Sequence, residues 1–509
     1  MQAPGRLTPG LATLMLAGLA GILVLVAVVQ MQNAGYKAWV ILAAIAVLPT
    51  LAAVSGRPKE LLLFGWVVSL TYNRQYFIFE RLVGYQGTEG PYVLLSDLCL
   101  AGLFGFWLYE RIIRRPAEPT RSAPLWPWYV PFAAACFLSI FDAARPDWAA
   151  FEMLRIFKIG AVLFYVRHNF GRKEWYITLA ALSAAACFQS AVAIKEIATG
   201  KQGVIGLSQA AVVDAAPELL EHFDAGAFTG GLRGTGTMAH PPYLSCYLLL
   251  VIPVLLAVGL TAPRRRAWLG MAAFLLACGG LVATMSRWPG VLALLQVALV
   301  LAVLVMLKHV AIQRALGVLI LGSFVLLLAL LPFKDKVMDR LTGDFKESVQ
   351  FRQDGFRASL AAISDRPLMG FGLNNTAVYL GQYLPDMEWG LTTEEFASRT
   401  LHLRAPVVLG NGLMHVIEET GILGFLAFLL LVFGAFVSGF RSMALTEGEH
   451  RAVCWALLVG ILGALAEQLI DAPLWVDPVL YTFVLFIGML NVAGPLFGTV
   501  PGGRKGALA

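Results

Sequence analysis

The run PGVLALLQVALVLAVLVML, from Pro289 to Leu307, decides the class of fold. It is 19 residues long and carries no ionisable side chain. Coiled as a helix it would reach about 29 Å, the thickness of a bilayer's hydrocarbon core. Comparable runs lie on both sides of it. We read about 14 spans, near residues 11–30, 37–54, 60–75, 92–110, 125–141, 149–166, 174–196, 240–260, 268–285, 289–307, 313–331, 412–438, 452–470 and 477–497. The first run, Leu11 to Gln30, is too long for a signal-peptide core and is followed at once by two more, so it reads as a retained helix.

Composition agrees. The 509 residues are 58% hydrophobic and 14% charged, with mean hydropathy +0.73, too little charge to cover a soluble surface. The expected fold is an all-α, polytopic integral membrane protein with one large periplasmic loop containing short helices. The six cysteines all lie inside apolar runs with no metal-ligand spacing, so packing is their expected role. Neither a metal nor a cofactor is expected.

The net charge of +6 does not point to nucleic acid, because the cations sit in short links between apolar runs. With a cytoplasmic N-terminus, the cytoplasmic links and tails hold 19 of the 38 Lys and Arg residues, including Arg57, Arg114, Arg172, Arg265, Arg441 and Arg504. The positive-inside rule then places both termini in the cytoplasm and the loop 332–411 outside, which is the periplasm if the cell is Gram-negative. Four regions follow: an N-terminal bundle 1–200, a central bundle 201–331, the loop 332–411, and C-terminal helices with a short tail, 412–509. The halves show no mirrored Gly/Pro breaks of the kind transporters carry.

Four features converge on the outward end. Arg233 lies among glycines in Gly231-Leu-Arg233-Gly-Thr-Gly236-Thr-Met-Ala-His240-Pro-Pro, either as a headgroup-level arginine on a turn or as a fork for phosphate oxygens. Thr284-Met-Ser286-Arg287-Trp288-Pro289-Gly290 joins two spans, with Arg287 as a lipid anchor or an anion ligand. Glu152, Arg155 and Lys158 recur every three residues on one helical face, and pairing of Glu152 with Arg155 is the plainer expectation. In the loop, Lys346 to Ser364 reads as an amphipathic helix with Phe351, Phe356, Leu360 and Ile363 on or near one face, which Arg352 and Arg357 flank. A Gly/Pro turn follows at Arg366-Pro-Leu-Met-Gly370-Phe-Gly372, and then come His402 and Arg404. His415 and Glu419, four apart, open the twelfth span. Arginines around an apolar floor suit a phosphate-bearing lipid headgroup.

These same segments resemble the bacterial O-antigen ligase and polysaccharide polymerase superfamily. Arg357 through Gly372 is similar to its R…P..G.G block, and Gly410-Asn411 through Glu419-Thr-Gly421 to its HN…(acid).G block. Arg233 to Pro241 is similar to its R..G…hP block, and Thr284 to Arg287 to its T.SR block. The resemblance implies metal-independent, inverting glycosyl transfer from an undecaprenyl-diphosphate carrier, at the periplasmic face of the bacterial inner membrane. The acceptor is a glycan or a lipid-linked glycan, and a chain-length regulator is an implied accessory partner. It assigns Arg233, Arg287 and Arg357 to the diphosphate, with Arg352, Arg366 and Arg404 as further cations on the same face. Gly410 stands where ligases carry the histidine, so His415, His402 or Glu419 would take the acceptor proton. A polymerase is the first reading, a ligase acting on lipid A–core the second, and a lipid-linked sugar flippase the third.

Overall fold

The computed structural model describes residues 56–73, 76–77, 92–114, 122, 124–200, 233–238, 240–331, 334, 346–376, 383 and 411–498. The two expected spans before residue 56, the stretch 201–232, and His402 and Arg404 lie outside the described residues.

The described chain is overwhelmingly helical. Helices occur at every expected span from the third onward: α1 (Pro58–Ser69), α2 (Leu95–Tyr109), α3 (Trp126–Leu138), α4 (Pro146–Asn169), α5 (Arg172–Thr199), α6 (Pro241–Thr261), α7 (Arg264–Ala283), α8 (Arg287–Met306), α9 (Ile312–Leu330), α11 (Gly412–Leu445), α12 (Gly448–Glu467) and α13 (Asp477–Phe497). The loop helix α10 spans Lys346–Asp365, close to its expected bounds. Among the described residues, seven helices (α5 to α8 and α11 to α13) are long and apolar enough to cross a membrane. α1, α2 and α3 are shorter, and α4 is long but carries its charges along its length. One element departs from the all-helical expectation. Tyr76–Phe77 (β1) pairs antiparallel with Tyr92–Val93 (β2), in a ribbon of β-favouring aromatics just before α2.

α6 and α13 are apolar on all sides and form the centre of the bundle, as such helices must. α6 lies against α7 and α12, and α13 against α4 and α11. Outer helices turn leucines and phenylalanines outward, among them Leu294, Leu295, Leu426 and Phe433, the surface expected against lipid. Inside, polar groups stitch helices together: Gln296 of α8 donates to the carbonyls of Leu249 and Val459 at 3.0 and 2.9 Å.

The two ends of the bundle differ. At one end the basic links gather: Lys59 pairs with Glu110 at 2.7 Å, Arg266 with Glu449 at 2.8 Å, Lys173 with Glu60, and Arg172 donates to the carbonyl of Leu496. These are the links that the charge pattern assigns to one side, and the Lys59–Glu110 pair brings the start of α1 to the end of α2. The candidate site lies at the opposite end.

Candidate functional site

The turn around Arg233 is built between α5 and α7. Arg233 Nε donates to the carbonyl of Thr284 at 2.9 Å and an Nη donates to Ser286 Oγ at 2.8 Å. Gly234 N–H adds a bond to the carbonyl of Ala283 at 2.8 Å. Two motifs some fifty residues apart therefore make one cationic corner containing Arg233 and Arg287. The glycines bring the backbone close to α5, not to open space: a Cβ on Gly234 would meet Ala193 at 2.8 Å, and Gly236 has φ +60. His240 then takes the N-cap position of α6 without a side-chain capping bond, and the first two residues of that helix are prolines placed where it has no N–H to lose.

The Arg366–Gly372 turn docks on a break in α11. Gly421 adopts φ +66 and interrupts that helix, so the carbonyls of Glu418 and Glu419 lose their regular partners. Phe371 N–H donates to Glu418 O at 2.7 Å, Gly372 N–H to Glu419 O at 3.0 Å, and Ile422 N–H to Pro367 O at 2.8 Å. The approach leaves no room for side chains: a Cβ on Gly370 would sit 2.5 Å from Glu418 O, and one on Gly421 would overlap Leu368 O. Arg366, at the start of the turn, places an Nη 2.8 Å from Asp142 O, to which it donates, and its guanidinium over the Phe371 ring. Asn375 clamps the Arg145 backbone in both directions, at 2.7 and 3.2 Å.

His415 lies on the site side of that break. Its Nε2 is 3.4 Å from Glu419 Oε1 and its Nδ1 is 3.9 Å from Glu418 Oε2. Glu419 Oε1 also accepts the Asn374 N–H at 2.8 Å. Asn411, just before the helix, caps it by accepting the Met414 N–H at 2.9 Å. Across from His415 stands the buried pair Glu152–Arg155 of α4. These two residues act electrostatically on both His415 and Glu419. Arg155 also donates to the carbonyl of Trp475 at 2.6 Å. The polar chain continues inward. Tyr92 donates to Asp477 at 2.6 Å, and Lys158 pairs with Asp97 at 2.6 Å while its ammonium lies 4.9 Å from the centre of the Tyr92 ring.

The link between α12 and α13 joins the two halves of the site. Trp288 Nε1 donates to Ala466 O at 3.3 Å, which seats the Arg287 turn at the end of α12. Arg352 of α10 reaches Asp471 at 3.5 Å. Gly412 N–H donates to Gln468 O at 2.9 Å, and Trp475 Nε1 donates to Gly412 O at 3.2 Å. Thus Arg233, Arg287, Arg352, His415 and Glu419 share one end of the bundle around residues 466–475. Arg357 stands apart: its side chain is 75% exposed and pairs with Asp354 on its own helix at 3.3 Å.

Sequence reasoning missed Asp471, Trp475, Asp477, Asn374 and Asn375, and the buried residues Gln189 and Glu196. The Asn-Asn pair after Gly-Phe-Gly carried a turn signal; the others are single polar residues beside apolar runs, and nothing local marks their partners. Among the described residues, no group of His, Cys, Asp and Glu is arranged to hold a metal ion. Comparison of the chain with protein-family models and with curated proteins finds no match.

Proposed function

We propose that the protein is a membrane glycosyltransferase, a polysaccharide polymerase that extends a glycan held on undecaprenyl diphosphate at the periplasmic face of the inner membrane. The full topology belongs to this proposal: 14 spans, both termini cytoplasmic and the site outward. The supporting observation is the placement of a half-buried His415, flanked by Glu418 and Glu419, at the same bundle end as the Arg233–Ser286–Arg287 corner, with residues 466–475 bridging the two.

The chemistry suits that arrangement. His415, oriented by Glu419, takes the proton from the acceptor hydroxyl. The oxygen attacks the anomeric carbon from the face opposite the diphosphate. The bond from that carbon to the diphosphate oxygen breaks, and the electron pair leaves with the diphosphate. Arg233 and Arg287, with Arg352 at the rim, balance the charge that develops there. Fixing donor and acceptor in one cleft supplies much of the remaining acceleration.

The test uses purified protein in nanodiscs with an undecaprenyl-diphosphate-linked repeat unit. Longer glycans and free undecaprenyl diphosphate are expected. Transfer only to lipid A–core would identify a ligase, and movement of the lipid across the bilayer without transfer would identify a flippase. Failure to use the lipid-linked donor in any of these ways would overturn the reading.

A further inference from the structure

The Arg233 corner is not self-supporting. Its following residues are held by two side chains of α5 that lie inside the bundle, Glu196 and Gln189, both almost fully buried. They are seven residues apart, two turns along one helical face. One carboxylate oxygen of Glu196 accepts both the Thr235 N–H at 2.7 Å and the Gly236 N–H at 3.0 Å. Two successive N–H groups aimed at one oxygen make an anion-binding nest, here filled by a side chain of the protein itself. Gln189 completes the grip. Its Oε1 accepts the Thr237 N–H at 2.8 Å, while its Nε2 donates to Thr237 Oγ1 at 2.6 Å and to the carbonyl and hydroxyl of Thr71 at 3.2 and 3.0 Å. Thr237 Oγ1 in turn donates to Thr71 O at 3.1 Å. The end of α1, the face of α5 and the 233–238 turn are thus tied in one polar knot.

We propose that Glu196 is the positioning residue for Arg233, with Gln189 as its second anchor: the carboxylate occupies a nest in the backbone and so fixes where the guanidinium points. The functional part of this inference rests on the reading of Arg233 as a diphosphate ligand; the structural part does not. Burial explains why a carboxylate is used. Two backbone N–H groups inside a membrane bundle need an acceptor, and a charged acceptor makes the shorter, stronger bonds.

The test compares the full-length protein with Glu196→Ala, the milder Glu196→Asp, which withdraws the carboxylate by one methylene, and Gln189→Ala. Hydrogen exchange of the 234–238 amides is read alongside affinity for undecaprenyl diphosphate. Each variant should speed exchange in that segment; the Glu196 variants should weaken the lipid by about 10- to 100-fold, the worth of a charge-assisted bond, and Gln189→Ala, which removes neutral bonds, by about 3- to 10-fold. Excess formate should restore protection and affinity to Glu196→Ala by refilling the nest, a response that general loosening of the fold does not give. Folded Glu196→Asp and Gln189→Ala proteins with wild-type exchange would overturn the proposal. So would altered exchange with unaltered lipid affinity. If wild-type protein does not bind the lipid, the glycosyl-transfer reading fails, and the exchange data still decide whether Glu196 holds the turn.

Discussion

The Nε2 of His415 lies 3.4 Å from Glu419 Oε1, and that same oxygen accepts the backbone N–H of Asn374 at 2.8 Å. The carboxylate is therefore aimed by the returning loop and in turn aims the imidazole. Replacing His415 with alanine should lower glycan elongation by about 10²- to 10⁴-fold, the usual worth of a positioned proton acceptor. Glu419→Gln keeps an oxygen for Asn374 but loses the charge, so its rate should fall less. Single-turnover assays with the lipid-linked repeat unit check both. Equal rates in wild type and His415→Ala would remove the imidazole from the chemistry.

Two of the three arginines in the resemblance blocks, Arg233 and Arg357, should behave differently. Arg233 is tied to Thr284 and Ser286, whereas Arg357 is exposed and pairs only along its own helix among the contacts described. Arg233→Ala should reduce both diphosphate affinity and thermal stability. Arg357→Ala should change the unfolding free energy by no more than the spread of surface substitutions, about 0.5 kcal/mol. Parallel melts and lipid-binding titrations separate the two.

Breaking the buried pair in α4 should be costly. Arg155→Ala leaves Glu152 without its principal cation in a site that is 3% exposed, and such losses run to about 3–5 kcal/mol. Replacing both residues, as Glu152→Gln with Arg155→Met, should recover part of that cost. A double-mutant cycle on detergent-solubilised protein measures the recovery, and strictly additive effects would mean the pair is not coupled.

Gly421→Ala should destabilise the fold by about 1–3 kcal/mol or more, because a left-handed backbone and the Leu368 carbonyl both reject the added carbon. Gly65→Ala is the control: nothing lies within 4 Å of its Cβ position, and alanine in mid-helix gains about 0.5–1 kcal/mol over glycine. Melting temperatures should move in opposite directions.

Much of the framework was legible in the chain. Apolar run length located α5 to α8 and α11 to α13, and spacing alone paired Glu152 with Arg155 and His415 with Glu419. Pro367 correctly ended the amphipathic α10 just ahead of it. What could not be read depends on partners distant in sequence. The helical spacing that puts His415 and Glu419 on one face leads straight into the apolar run after Gly421, so the break there is visible only once residues 367–372 return to it. Gln189 and Glu196 are polar residues within a mostly apolar helical run, and their meaning comes from a turn some forty residues later. The glycines beside Arg233 suggested close approach to a ligand; what they approach is α5.

The break in α11 also bears on how the protein is made. Lipid offers no hydrogen bonds, so a helix interrupted at Gly421 cannot be finished by the bilayer alone. Its missing donors come from Phe371 and Gly372, which leave the ribosome before Gly412 does. The segment 367–372 therefore precedes the helix it completes, and formation of the last three apolar helices becomes a docking onto a segment already synthesised.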